Sequence, residues 1–126
     1  MRVTIEGTRW ANMNGSHGNH YAHQSLMNDW KARSVAAVGH TMREGARSGA
    51  LWCFTKPVVI TATVRRTRNG KADAHNVTPT IKACIDALVS CGVIPDDHDG
   101  IVRRLIIEAG PKAKVPTVEL EVEVAP

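Results

Sequence analysis

The chain has 126 residues, 43% hydrophobic and 22% charged, the balance of one soluble globular domain spanning residues 1–126. An aromatic share of only 4% argues against the base-stacking platforms of single-strand-binding proteins. No apolar run reaches membrane-spanning length and "MRVTIEGTRW" lacks a signal peptide's apolar centre, so a cytoplasmic protein with no membrane partner is expected.

"RVTIEG" alternates Val3 and Ile5 with polar neighbours and predicts a short strand ended by Gly7. The Gly/Asn-rich "ANMNGSHGNH" predicts a loop. From about Gln24 to Ala46, Leu26, Trp30, Val35, Val38 and Met42 recur at helical spacing, with Lys31, Arg33 and Arg43 among them. This is an amphipathic basic helix, weakened by Gly39 and Gly45. "PVVITATVRRT" is rich in β-branched residues and predicts a strand, followed by the Asn-Gly turn signal of "RNGK". A second helix is expected over residues 79–91. Asn76 or Thr78 is its candidate cap, Pro79 lies in its first turn, Ile81, Cys84, Ile85 and Leu88 form its apolar face, and Gly92 stops it. "GIVRRLIIEAG" and "PTVELEVEVAP" complete the strands; in the latter Val118, Leu120, Val122 and Val124 point one way and Glu119, Glu121 and Glu123 the other. The glutamate row reads as a solvated sheet face rather than a metal ladder. The order β-α-β-α-β-β predicts an α+β fold, a small mixed or antiparallel sheet with two main helices packed on it.

Charge is distributed unevenly. Residues 1–72 carry 11 Lys/Arg against 3 Asp/Glu, and residues 73–126 carry 5 against 9. A basic half beside an acidic half suits one surface for a polyanion and another for a cation. Cys53, Cys84 and Cys91 form no CxxC pair. They read as free, largely buried thiols of a reducing compartment, and a zinc ribbon is excluded. His17, His20 and His23 sit at steps of three in a loop-like segment, a poor spacing for zinc. "DDHDG" at 96–100 fails as a calcium loop because Gly100 follows Asp97 too soon. What remains is a set of acids around the second helix. Asp73 precedes it, Asp96, Asp97 and Asp99 follow it, and Lys82 and Asp86 share one of its faces. If the chain brings Asp73 near Asp97 with Lys82 between them, carboxylates are placed to hold divalent ions on a phosphodiester. Otherwise Lys82 and Asp86 are an ordinary surface pair.

The block "DAHNVTPTIKACIDALVSCGVIPDD" resembles the signature region of the RusA family of Holliday junction resolvases, often phage-borne, and the surrounding elements extend the likeness along nearly the whole chain. The resemblance implies a RusA-like domain that holds Mg2+ (or Mn2+), cuts four-way branched DNA by paired symmetric nicks and acts as a homodimer. It implies Asp73 and Asp97 as metal ligands with Asp96 assisting, and Lys82 at the scissile phosphate. Asp86 is implied as a helix anchor or a group secondary to the metal. His75 stands where the family often has a second aspartate, leaving His75 or the Asn76 carbonyl as the further ligand. Arg65, Arg66, Arg68 and Lys71, directly before Asp73, are placed to hold backbone phosphates, and Lys31, Arg33 and Arg43 to extend that path. Two other outcomes stay open: a non-catalytic junction-binding protein, and a broader nuclease of forks or flaps.

Overall fold

Strand β1 (Arg2–Glu6) buries Val3 and Ile5 and exposes the residues between them, the alternation its sequence predicts. Helix α1 (His20–Arg47) and strand β2 (Val58–Arg65) follow, then a 3-10 turn at Ala74–Val77, helix α2 (Thr78–Ser90), and strands β3 (Val102–Ala109) and β4 (Thr117–Val124). This computed structural model describes residues 1–11, 20–68 and 74–126, without the side chains of His20, Ala74 and His75. Most of the expected loop at 11–20 and turn at 68–71 therefore lies outside the described residues, as do His17, Lys71 and Asp73, while His20 and His23 belong to α1 rather than to a loop.

The four strands form one mixed sheet in the order β1-β4-β2-β3. β4 runs antiparallel to both β1 and β2, while β3 runs parallel to β2 and so joins it through α2 as a βαβ unit. Register puts Val3 opposite Leu120 and Ile5 opposite Val118, with Ala62 and Val64 on the other side of the same β4 residues. All six are buried, and this apolar face meets Trp30 and Val38 of α1 and Ile81, Cys84 and Leu88 of α2 in one core. The class is α+β, as predicted. Val124 departs from the expected stripe at 51% exposure, because β1's pairing ends at Glu121 and only β2 flanks the strand beyond it.

The opposite face of the sheet carries the glutamates. Arg2 pairs with Glu121 at 3.1 Å and Arg65 with Glu119 at 2.8 Å, so the row is a cross-strand ion-paired surface. Arg65 also donates from Nε to the Pro111 carbonyl and from Nη2 to that of Lys112, tying the β3–β4 connection to β2.

Two local expectations need correction, and the glycines of α1 gain a second role. Helix α1 runs through Gly39 and Gly45 without interruption. Gly45 is buried, and a Cβ there would meet the Trp52 indole nitrogen at 2.5 Å, so its missing side chain lets the 50–54 segment close on the helix. Neither Asn76 nor Thr78 caps α2. Val77 holds the cap position with no side-chain cap bond, because the Ala74–Val77 turn already winds into the helix. Of the three free thiols only Cys84 is buried; Cys91 is half-buried and Cys53 exposed. Burial pushes the Cys84 thiol up to about 12, which leaves it unreactive at neutral pH.

Thr80, fully buried in the first turns of α2, fastens the N-terminal segment to that helix. Its hydroxyl accepts the Ala11 N–H at 2.8 Å and donates to the Ala11 carbonyl at 3.1 Å. Thr80→Val keeps the shape and strands both buried backbone groups, so we expect a loss of at least about 2 kcal/mol in urea unfolding. A loss under about 0.5 kcal/mol would show that the anchor is dispensable.

Candidate active site

Helix α2 ends as the sequence predicts: Gly92 takes a φ of +79°, a conformation costly for any side chain. The chain then turns back along the helix. Val93 and Ile94 donate to the Leu88 carbonyl at 2.9 and 3.4 Å, and both side chains are buried. Two apolar anchors thus hold the acidic run that follows against the flank of α2. In that run the Asp97 N–H donates to Asp96 Oδ1 at 2.7 Å, and Gly100 N–H donates to His98 Nδ1 at 3.0 Å. The His98 carbonyl accepts from both Ile101 and Val102. His98 therefore builds the turn.

The fold-back brings together residues fifteen apart. Lys82 Nζ donates to Asp97 Oδ2 and lies 3.1 Å from Asp86 Oδ1, while Lys31 of α1 reaches Asp86 Oδ2 at 3.8 Å. These groups line a groove of about 340 Å³ between α1, α2 and the acidic turn, with Asp96 and the apolar Val35 and Ala87 on its walls. Its polar chain runs Lys31–Asp86–Lys82–Asp97, alternating in sign. The hydrogen bond to Asp97 raises the Lys82 ammonium above its ordinary value, and the same bond holds the Asp97 carboxyl below the usual carboxylate range.

The sign of the pH dependence follows. A lowered Asp97 pKa contributes stability above the unfolded carboxylate value, lost as pH falls through the lowered one; a raised Lys82 pKa contributes stability that is lost only as pH rises through it. Between about pH 5 and 9 the contribution is flat, and for a solvent-facing pair it amounts to no more than about 1 kcal/mol. The stability difference between the wild type and Asp97→Asn is expected to shrink as pH drops below about 4. A difference constant down to about pH 2 would contradict the pairing.

No protein-family model matches this chain, and no curated protein matches it.

Of the residues expected from sequence, Lys82, Asp97, Asp96, Asp86 and Lys31 share this groove. Asn76 is half-buried in the turn before α2, while Asp73, Lys71 and the His75 side chain lie outside what is described. The remaining basic residues take other places. Arg65 is on the sheet face away from the helices, engaged with Glu119. Arg33 pairs with Asp29 at 2.9 Å and reaches the Glu6 carbonyl at 3.4 Å. Arg66 lies over the Trp10 ring, 5.7 Å from its centroid, and Arg68 is exposed. Sequence reasoning missed the Lys31–Asp86 pair, the groove wall at Val35 and the Arg66–Trp10 contact. Each joins elements distant in the chain, and no local pattern signals it.

Asp96 and Asp97 offer hard carboxylate oxygens, the donors that Mg2+ and Mn2+ take. Among the described residues no three His, Cys, Asp or Glu converge as a metal-holding group. By donor chemistry the two carboxylates fit such an ion, with further ligands supplied from elsewhere.

Proposed function

We propose that this chain is a metal-dependent endonuclease of the RusA kind that resolves four-way DNA junctions as a homodimer. The observation that supports it is the meeting of Lys82 with Asp97 in one groove, with Asp96 and Asp86 beside them. These are the positions at which the block "DAHNVTPTIKACIDALVSCGVIPDD" resembles that family, and their spacing alone did not require them to meet.

In this reading Asp97 and Asp96 hold the divalent cation, together with Asp73 and either His75 or the Asn76 carbonyl. A bound ion of this type polarises the phosphodiester and lowers the pKa of an attacking water. The chain's own residues do the rest. Lys82 moves from Asp97 to the scissile phosphate and offsets the charge that develops on its oxygens. Asp86, anchored between Lys82 and Lys31, keeps the ammonium on the groove side of α2 and draws Lys31 toward the DNA backbone. Arg66 and Arg68 extend the phosphate contacts past the end of β2. Two symmetric nicks need two such sites, which a closed two-fold pair supplies.

One observation favours a second reading. Lys82 already neutralises Asp97 and Asp86, a pairing that a cation must displace, and His75 stands in place of an acid. A protein that binds junctions without cutting them has the same groove. Cleavage of an end-labelled four-way junction, with and without Mg2+ and beside a linear duplex, separates the two. Metal-dependent paired nicks confined to the junction are expected; tight binding with no nicks in Mg2+ or Mn2+ leaves the binding module.

A further inference from the structure

Among the described residues the sheet ends at β3, with no strand paired on its outer edge. Free edges of this kind are usually blunted by charge, bulges or cover, because a row of unpaired N–H and C=O groups templates another strand. β3 has one of these devices at its start. Register with β2 slips between Val58 and Val59, leaving Arg103 as the extra residue, and from Arg104 to Ala109 the strand is regular. Along that regular stretch Leu105 is 41% exposed and Ile106 and Ile107 are half-buried. Arg104 and Glu108 are exposed, and neither makes an ion pair among the described residues.

The charges are of opposite sign and sit symmetrically about Ile106. When a strand pairs antiparallel with its own copy across a two-fold normal to the sheet, one residue must face itself, because opposed residues point to the same side. Centring the axis on Ile106 sets Arg104 against Glu108 of the copy, twice by symmetry, and Leu105 against Ile107. Ile106 meets Ile106 on the face shared with the two ion pairs. Moving the centre to Leu105 puts Arg104 against Ile106 and Glu108 against Val102, and moving it to Ile107 puts Glu108 against Ile106. Of these three registers only the one centred on Ile106 pairs Arg104 with Glu108 and Leu105 with Ile107; Ala109 then falls opposite Arg103, the bulged residue. Edge charges that deter pairing set like against like; these do the reverse.

We propose that β3 pairs with β3 of a second copy, centred on Ile106, joining the two four-stranded sheets into one continuous eight-stranded sheet. The other edge is a weaker candidate, although Arg2 and Glu6 repeat the spacing. Arg2 is already paired with Glu121, the Arg33 side chain covers the Glu6 carbonyl, and Val3 and Ile5 are buried in the core. The pairing names the surface of the two-fold assembly. It stands independently of the nuclease reading, since it is measured without DNA.

Light scattering coupled to size exclusion, over about 1–200 µM, reads it directly. The wild type runs as a dimer. Arg104→Glu or Glu108→Arg each set two like-charge contacts at the seam and weaken the dimer at least about tenfold, while the double exchange restores it to within about threefold. Circular dichroism checks that each variant is folded. As a second readout, Ile106→Cys in a Cys53→Ser background forms a disulfide-linked dimer under mild oxidation. Opposed Cα atoms at about 4.5–5.5 Å lie within disulfide range. Leu105→Cys, facing Ile107, does not self-link. A monomer throughout the concentration range, a dimer indifferent to both single reversals, or a double exchange that stays monomeric would overturn the proposal.

Discussion

Under the proposed function, Asp97→Asn is expected to lower metal-dependent nicking of a four-way junction by at least about a hundredfold, the scale on which one charge-stabilising group contributes to a transition state. The substitution keeps the side chain's shape and removes its charge. The geometry gives one effect, the loss of the Asp97 carboxylate that pairs with Lys82 in the groove, and the proposed function adds a second, the loss of a carboxylate ligand for the cation. Junction binding survives, because one negative charge fewer in the groove favours a polyanion. Asp99→Asn is the matched control. Asp99 is exposed on the same turn and does not line the groove, so its loss is expected to change the rate by less than about twofold. Single-turnover rates on a labelled junction, with a gel-shift measurement beside them, test both substitutions. Equal loss in the two variants would mean that the turn's overall charge matters rather than Asp97, and full activity in Asp97→Asn would remove this groove as the catalytic site.

Trp30→Ala is the most damaging change expected in the core. Trp30 is fully buried on α1, stacks on Trp10 with ring centroids 5.7 Å apart and an interplanar angle of 17°, and donates its indole N–H to the Arg9 carbonyl at 2.7 Å. Truncation removes the largest buried side chain in the protein, opens a cavity between helix and sheet, and leaves the Arg9 carbonyl without its donor. The expected cost is about 3–5 kcal/mol. At this chain length that corresponds to a fall of about 10–20 °C in Tm. It also frees Trp10 and the Arg66 guanidinium above it, so the segment from Gly7 to Ala11 loosens with the core. Chemical denaturation followed by far-UV circular dichroism gives the number. A loss below about 1.5 kcal/mol would mean that the core relaxes around the gap and that Trp30 is not its keystone.

The elements were legible wherever a residue's neighbours in the chain settle its conformation. Alternation in "RVTIE" and "TVELEVEV" encodes strands with one buried face, and the recurrence of Leu26, Trp30, Val38 and Met42 encodes a helix. Gly92, at positive φ, encodes where the second helix must end. The same logic misjudged places where tertiary contacts override local preference. Gly45, read only as a weak point of α1, also lets the Trp52 ring approach the helix closely. The α2 cap was sought in a side chain, although a preceding 3-10 turn does the winding. Arg65 looked like a phosphate contact by its place in a basic run. Strand parity turned it to the sheet's glutamate face instead.

The candidate site divides along the same line. Its residue types and the i, i+4 pair of Lys82 with Asp86 stand in the sequence, because a helix's geometry is local. The meeting of Lys82 with Asp97 depends on Val93 and Ile94 finding the core, and that of Lys31 with Asp86 on two helices crossing above the sheet. Composition and periodicity by themselves determined an α+β domain, its helices and strands, and which faces would be apolar. Strand order, the groove, and the exposed β3 edge with its opposed charges were decided only by tertiary structure. Burial of the shared apolar face selects one arrangement of the elements, and that arrangement brings distant polar groups together.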